Sequence, residues 1–346
     1  MKTANSPWAK CLLLLIMALA ASTLFYKSGF WSKTLAKENI TLLAPHQSLQ
    51  TFAKELEKAE IISNHLAFYV WTRLFANYQK FQAGRYHFLP GEHSFASIAK
   101  MIERGEVYHE LRLSLTIPEG YTKNQVFEKI AQESKVLLKE LNILDQSAAF
   151  RTSLGLADQE SLEGYLYPST YHFYDEDPSA ASILSTLKKE FNKRITPEIV
   201  DTLLTHQLKL HQAVILASLI EKETSTEQEK PFVAEVIFNR LAKREVLGID
   251  ASIIYGIPNY SGNLTSFDLK NKNNKYNLRV HGGLPPGPIC SPSLSSILAL
   301  LNPSKEGYYF YVLKPGPTKE HHFSRSLAEH AKHVRKLVQY QTQGKQ

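Results

Sequence analysis

Residues 213–224, AVILASLIEKET, form an almost unbroken apolar run that ends in Glu221, Lys222 and Glu223. A carboxylate at the mouth of an apolar helix is a candidate acid catalyst, because burial disfavours its charged form and lets it hold a proton near neutral pH. Apolar side chains at Val214, Ile215, Leu216, Leu219 and Ile220 surround most of the helix, which predicts a central, buried element. Helical spacing separates the two glutamates. Glu221 lies beside Ala217 and Ser218 on the preceding turn and Thr224 and Ser225 on the next, small residues that leave room for a substrate. Glu223 lies over Leu219 and Ile220, with the like-charged Glu227 four residues on, as suits a structural carboxylate. Lys222 points to a third side, toward solvent. An ordinary helix-end carboxylate paired with an arginine is the alternative reading of Glu221.

Few other residues cluster in a way that could do chemistry. Cys11 and Cys290 are the only cysteines, so neither a disulfide framework nor a cysteine metal site can be built. His321 and His322 are adjacent on a stretch that reads as extended, where neighbours point to opposite faces, so the pair is poorly placed to hold one ion. No metal and no cofactor is expected. The net charge of +7 is spread along the chain without a dense block, which argues against nucleic acid and suits anionic cell-surface polymers or lipid headgroups equally.

At 346 residues, 43% hydrophobic and 21% charged, the chain has the composition and length of two folded domains. Residues 11–26 (CLLLLIMALAASTLFY) carry no charge and lie between Lys10 and Lys27, with Trp8, Tyr26 and Trp31 as interfacial anchors. As a helix this run covers roughly 24 Å, short for a span, and snorkelling lysines supply the remainder. A retained anchor over residues 11–30 is favoured over a cleaved signal peptide, for which Ala18, Ala20 and Ala21 would form the cleavage site. Residues 1–10 would then be cytoplasmic.

The elements that must position Glu221 follow in order. Residues 39–43 read as a strand, helices follow from Ser48 and over 63–77, residues 84–88 alternate as a strand, residues 90–92 turn, and Ser94 opens a helix. Strand, helix, helix, strand, helix makes a small α+β module over residues 39–108. Residues 111–117 (LRLSLTI) alternate as a strand and open a second domain, residues 111–343, with helices through 135–153, 180–195, 197–206 and 211–224. Residues 231–244 make an amphipathic helix, 248–256 a turn and a short strand or helix, and 258–277 an Asn-rich loop. Residues 282–289 (GGLPPGPI) can be neither helix nor central strand and predict a stiff rim, followed by a helix from Ser291-Pro292 to Leu301. Residues 308–313 (YYFYVL) predict a buried strand and 327–340 a closing helix. The fold class is α+β: an N-terminal transmembrane helix, a small module, and a mixed α/β domain built round a buried helix.

Several motifs recur together in one family. LASLIEKET (216–224), IFNRL (237–241), IIYGI (253–257), GLPPGPI (283–289), LNP (301–303) and HHFSRSLAEH (321–330) stand in that order, with AGRYHFLPG (83–91), LTIPEGYT (115–122) and LEGYLYPSTYHF (162–173) upstream. By these the chain resembles the YceG-like, MltG-type endolytic murein transglycosylases. It departs from them at Asp250-Ala251-Ser252, Ser291-Pro292 and Tyr167-Pro168-Ser169. The resemblance implies a single-pass anchor in the plasma (inner) membrane, a LysM-like module at 39–108, a wall-facing catalytic domain and Glu221 as catalytic acid/base. It further implies peptidoglycan strands as substrate and a peptidoglycan synthase as partner.

The implied reaction cleaves the β-1,4 bond between N-acetylmuramic acid and N-acetylglucosamine, leaving 1,6-anhydro ends and terminating nascent strands. Glu221 would protonate the leaving oxygen and then take the proton of the attacking 6-hydroxyl. An intramolecular nucleophile makes one glutamate sufficient where other glycosidases use a carboxylate pair. Asn239, Tyr255 and the rim from Gly283 and Leu284 to Ile289 are expected to orient sugar, and Glu163 to contact the groove; core packing and turn-making are the competing roles. Two rival functions are a hydrolase pairing Glu221 with Asp250 or Asp268, and a membrane-anchored wall-binding scaffold without catalysis.

Overall fold

The computed structural model describes residues 32–156 and 161–343. They divide into two compact units, the first ending at Glu110 and the second beginning at Leu111. The expected membrane segment lies outside the described residues, and among those described no helix is long and apolar enough to cross a membrane.

In the first unit, β1 (Ser32–Leu35) pairs antiparallel with β4 (Gly91–Ser94), and β2 (Asn39–Leu43) with β3 (Gly84–Phe88). Residues 91 and 92, expected in a turn, are therefore strand, paired with residues 34 and 35, to which sequence alone assigns no element. In the chain α1 (Leu49–Lys58) and α2 (His65–Phe75) connect β2 to β3, and α3 (Phe95–Glu103) closes the unit. Each helix starts where a capping side chain accepts a free backbone N–H: Ser48 from Thr51, Asn64 from Ala67 and Ser94 from Ser97. The core is aromatic and aliphatic, with Phe52, Phe68, Tyr86, Phe88, Ile98 and Ile102 fully buried. Phe68 meets Phe95 edge-on at 5.2 Å.

The second unit opens with β5 (Leu113–Thr116), then α4 (Lys123–Glu133), α5 (Leu138–Gln146) and α6 (Ala148–Ser153), before β6 (Thr170–Phe173) returns antiparallel to β5. Three helices follow: α7 (Ala180–Arg194), α8 (Pro197–Thr205) and α9 (Leu210–Glu223). Then come α10 (Lys230–Ala242), the short α11 (Asp250–Tyr255) and α12 (Ser266–Lys270), and α13 (Leu294–Leu301). A last hairpin pairs β7 (Phe310–Leu313) with β8 (His321–Ser324), ahead of α14 (Leu327–Gln343). Strand β7 is half-buried rather than buried, and α12 occupies part of the expected loop.

Helix α9 is the axis of this unit. Every residue from Ala213 to Ile220 is buried, and α8, α10, α11 and α13 pack round it. Ser218 is the polar residue of that stretch and is wholly buried. Its hydroxyl donates to the Ile215 carbonyl at 2.7 Å and accepts the Ile289 amide at 3.0 Å, while its carbonyl accepts from the Cys290 thiol at 3.4 Å. The proline-rich rim is thereby docked along the central helix instead of standing free. On the other side Gly164, in the left-handed region at φ +83°, lets the aromatic loop approach both: a Cβ there would lie 2.7 Å from Val214 and from Pro288.

The Gly164→Ala change should therefore cost about 2–4 kcal/mol, backbone strain and overpacking together. Gly283 has a similar φ of +81° with nothing within 4 Å of a Cβ, so Gly283→Ala should cost only the backbone term, about 1–2 kcal/mol. Urea unfolding of the two variants measures the difference, and equal losses would contradict the close packing assigned to Gly164.

Candidate active site

Helix α9 ends at Glu223 because Thr224 turns extended, and the Thr224 hydroxyl donates to Glu229 at 2.9 Å. Glu229 also accepts the His321 amide at 2.6 Å and stands 2.8 Å from its Nδ1. This tie reverses the chain into α10, whose first residue is Lys230. The Lys230 side chain is 2% exposed and its Nζ reaches four oxygens: Glu227 at 2.6 Å, Ser295 at 2.7 Å, Ser293 at 2.9 Å and Glu221 at 3.5 Å. A buried ammonium is tolerated only with such a set of partners.

The same serines hold Glu221. Its Oε2 accepts the Ser293 amide at 2.9 Å, the Ser293 hydroxyl at 2.5 Å and the Ser296 hydroxyl at 2.6 Å. Ser293 is the N-cap of α13, so the carboxylate lies at the positive end of that helix. Sequence alone places the start of this helix at Ser291-Pro292, two residues early. The surroundings of the carboxylate are thus hydroxyls, an amide and an ammonium, not the apolar environment expected. All of its hydrogen bonds end on Oε2, and the side chain lines a cleft of ≈ 420 Å³.

The opposite wall is the turn at Pro118-Glu119-Gly120. Gly120, at φ +73°, has its amide bonded to the Ser291 carbonyl at 2.9 Å, and the Ser291 amide returns to the Tyr121 carbonyl at 2.8 Å. A Cβ on Gly120 would lie 3.8 Å from the Glu221 Cγ, so the turn passes close beside it. Lys222 is exposed, as expected, and on that exposed side it lines this cleft and donates to the Gly120 carbonyl at 3.2 Å. Glu227, expected on the face of Glu223, lines the cleft too, since the helix stops before reaching it. Glu119 completes the acidic groups there. Burial and the charge of Glu221 push its carboxyl above the usual range, against the opposing pull of Lys230.

The other expected site residues lie elsewhere. Asn239 donates to the Tyr308 carbonyl at 2.8 Å and lines a separate cavity of ≈ 340 Å³ with Glu235 and Tyr309. Glu163 is 3% exposed; it accepts the Lys123 amide at 2.9 Å and the Tyr255 hydroxyl at 2.9 Å. Both are held in a buried network, and neither lines the Glu221 cleft. Gly283 and Leu284 do not line it either, Leu284 packing on the core. Asp250 pairs with Arg279 at 2.6 Å and Asp268 caps α12, so neither stands beside Glu221. Glu223 accepts from Tyr311 at 2.6 Å beside a third cavity, with burial pushing its carboxyl up. His321 faces Glu229 while the His322 ring stacks on His333 at 4.1 Å; among the described residues no cluster could hold a metal ion.

A model of the YceG-like family matches residues 42–336. The chain belongs to that family. Its relatives include the endolytic murein transglycosylase of Bacillus subtilis, 28% identical over 89% of this chain and 86% of its own length. That of Streptococcus pneumoniae is 26% identical over 85% of this chain, which spans 59% of the longer relative. Among solved structures, a YceG-like protein from Listeria monocytogenes superposes with a TM-score of 0.59 at 27% identity, covering 86% of this chain and 99% of that one.

Four residues of the site are not singled out by the sequence of this YceG-like chain: Glu119 and Lys230, which line the cleft, and the buried Ser293 and Ser296, which hold Glu221. A signal existed for three of them. Ser293 and Ser296 have the spacing of a helix N-cap and its third residue, and Glu119 stands in the LTIPEGYT motif.

Lys230→Met should destabilise the protein by about 3–5 kcal/mol, since it leaves Glu221 and Glu227 without their counter-charge. Combined with Glu221→Gln the loss should be smaller than the sum, and a double-mutant cycle in urea measures that coupling. Burial pushes Glu163 up to about 7, against the bonds from Lys123 and Tyr255. The folded state then keeps a proton that the unfolded chain releases near its ordinary value of 4.5, so stability falls as pH rises between these two values. The fall amounts to about 3 kcal/mol and should be absent in Glu163→Gln; denaturant midpoints at pH 5 and pH 8 check it.

Proposed function

We propose that the chain is an endolytic murein transglycosylase that cuts the β-1,4 bond between N-acetylmuramic acid and N-acetylglucosamine and leaves 1,6-anhydro ends. The names borne by its relatives support the reaction class. The observation that carries the assignment to Glu221 is the gathering of every hydrogen bond on Oε2, which orients the carboxylate while its side chain borders an open cleft. Preorganised donors of this kind fix a catalytic group before substrate arrives.

Glu221 faces the positive charge that develops at C1 and receives the proton of the muramyl 6-hydroxyl as that oxygen attacks. Because the nucleophile belongs to the substrate, no second carboxylate is needed to position a water. A hydrolase using Asp250 or Asp268 has less support, since those side chains are engaged by Arg279 and by a helix end. The first unit acts as a LysM-like wall-binding module, and residues 11–30 anchor the chain in the plasma membrane with residues 31–346 on the outer side, beside a peptidoglycan synthase. The net charge of +7 suits an anionic wall.

Digestion of purified peptidoglycan by the full-length protein, followed by mass spectrometry of the chain ends, tests this reading. Anhydro ends are expected, with cleavage reduced at least ~10³-fold by Glu221→Gln. Reducing muramic ends would establish hydrolysis instead, and undiminished cleavage by the variant would remove Glu221 from the chemistry.

A further inference from the structure

The cleft beside Glu221 holds more acid than one carboxylate. Three carboxyl groups, Glu119, Glu221 and Glu227, share it with two ammonium groups, Lys222 and Lys230. Lys230 is engaged by Glu221 and Glu227, and Lys222 by the Gly120 carbonyl. Glu119 has no hydrogen-bond or ion-pair partner among the described residues. One proton would balance the charge of this group, and the carboxyl without a cation is where it costs least to hold.

Glu221 is the wrong place for that proton. Its Oε2 meets four donors, and two of them, the Ser293 amide and the Lys230 ammonium, can only donate. Such a cradle fits the ionised form. Glu119, in contrast, stands on a turn fixed on its C-terminal side by the Gly120–Ser291 and Ser291–Tyr121 backbone bonds and before it by the Ile117–Ser169 bond, with Gly120 against the Glu221 side chain. The chemistry asks for such a neighbour. A β-linked leaving oxygen and the 1,6 bridge that replaces it lie on one face of the sugar, so the acid and the base must be adjacent.

We propose that Glu119 is the general acid of this site and Glu221 its base, a division that rests on the transglycosylase reading above. Glu119 gives its proton to the bridging oxygen as the C1–O bond breaks, and the bonding pair leaves with that oxygen as the 4-hydroxyl of N-acetylglucosamine. The 6-oxygen then bonds to C1 and its proton passes to Glu221. A proton returns from Glu221 to Glu119 through the cleft before the next cut, so none is consumed. The groups that set the charge at Glu119 are Glu221 and Lys222 of α9, Glu227, Lys230 of α10, and the nearby Tyr121 and Tyr167.

The test uses full-length protein with two substrates: peptidoglycan, and a short murein oligosaccharide whose terminal N-acetylmuramic acid carries a 4-nitrophenyl group, which leaves without acid help. Glu119→Gln should lower kcat on peptidoglycan by about 10²–10³-fold with KM little changed, and should lose the alkaline limb of the pH profile. On the nitrophenyl substrate it should stay within about tenfold of the native protein, whereas Glu221→Gln should lose both activities. That retained activity also reports a folded variant. Native kcat on peptidoglycan in Glu119→Gln, or parallel loss on both substrates, overturns the assignment. If the native protein yields no anhydro ends, the transglycosylase reading itself fails and this division of roles falls with it.

Discussion

A buried ammonium organises the site. Lys230 cannot remain charged in the interior without partners, and the chain supplies them from three separate stretches: Glu221 at the end of α9, Glu227 in the reversal that follows, and Ser293 and Ser295 at the start of α13. Satisfying this one cation brings the end of one helix against the beginning of another. The orientation of Glu221 is a by-product of that requirement, because the serine that binds Lys230 also binds Oε2.

The rest of the second unit keeps that junction in place. Ser218 ties the proline-rich rim to the middle of α9, so the stretch leading to Ser293 has little freedom to shift. Gly164 lets its loop come nearer to α9 than a side chain would allow, and Gly120 supplies the left-handed φ of the turn that passes beside Glu221. Two other carboxylates are built into the same unit in a different manner. Glu163 and Glu223 each take a tyrosine hydroxyl, from Tyr255 and Tyr311, whereas Glu221 meets aliphatic hydroxyls on one oxygen and borders a cleft. Of the two tyrosine-bound acids Glu163 is buried, while Glu223 lines a cavity of its own.

What could be read from the sequence was what short-range periodicity encodes. The buried helix, its abrupt polar end and the separation of Glu221 from Glu223 onto different faces follow from neighbours within a turn or two. Caps at Ser48 and Ser94 were legible for the same reason. The cleft was not, because its walls meet over long separations: Ser293 and Ser296 lie 72 and 75 residues from Glu221, and Gly120 lies 102 from Lys222. Glu227 was misplaced by extending the helix past Thr224, where the backbone in fact turns. Asn239 and Tyr255 have the polarity of ligand contacts, yet backbone carbonyl and buried carboxylate claim them, and no local pattern announces such partners. The β1–β4 pairing was hidden similarly, four residues being too few to show alternation.

The separation between Glu221 and its cradle bears on how the protein is made. Synthesis runs from the N-terminus, so α9 is complete long before Ser293 and Ser296 exist, and until they arrive Oε2 lacks three of its donors. The wall of the cleft at Gly120 is likewise unfixed until Ser291 emerges. A chain truncated before α13 would possess the glutamate but not the site. Competence is thereby deferred to the finished polypeptide, a safeguard for any protein whose reaction severs the polymer that holds its cell together.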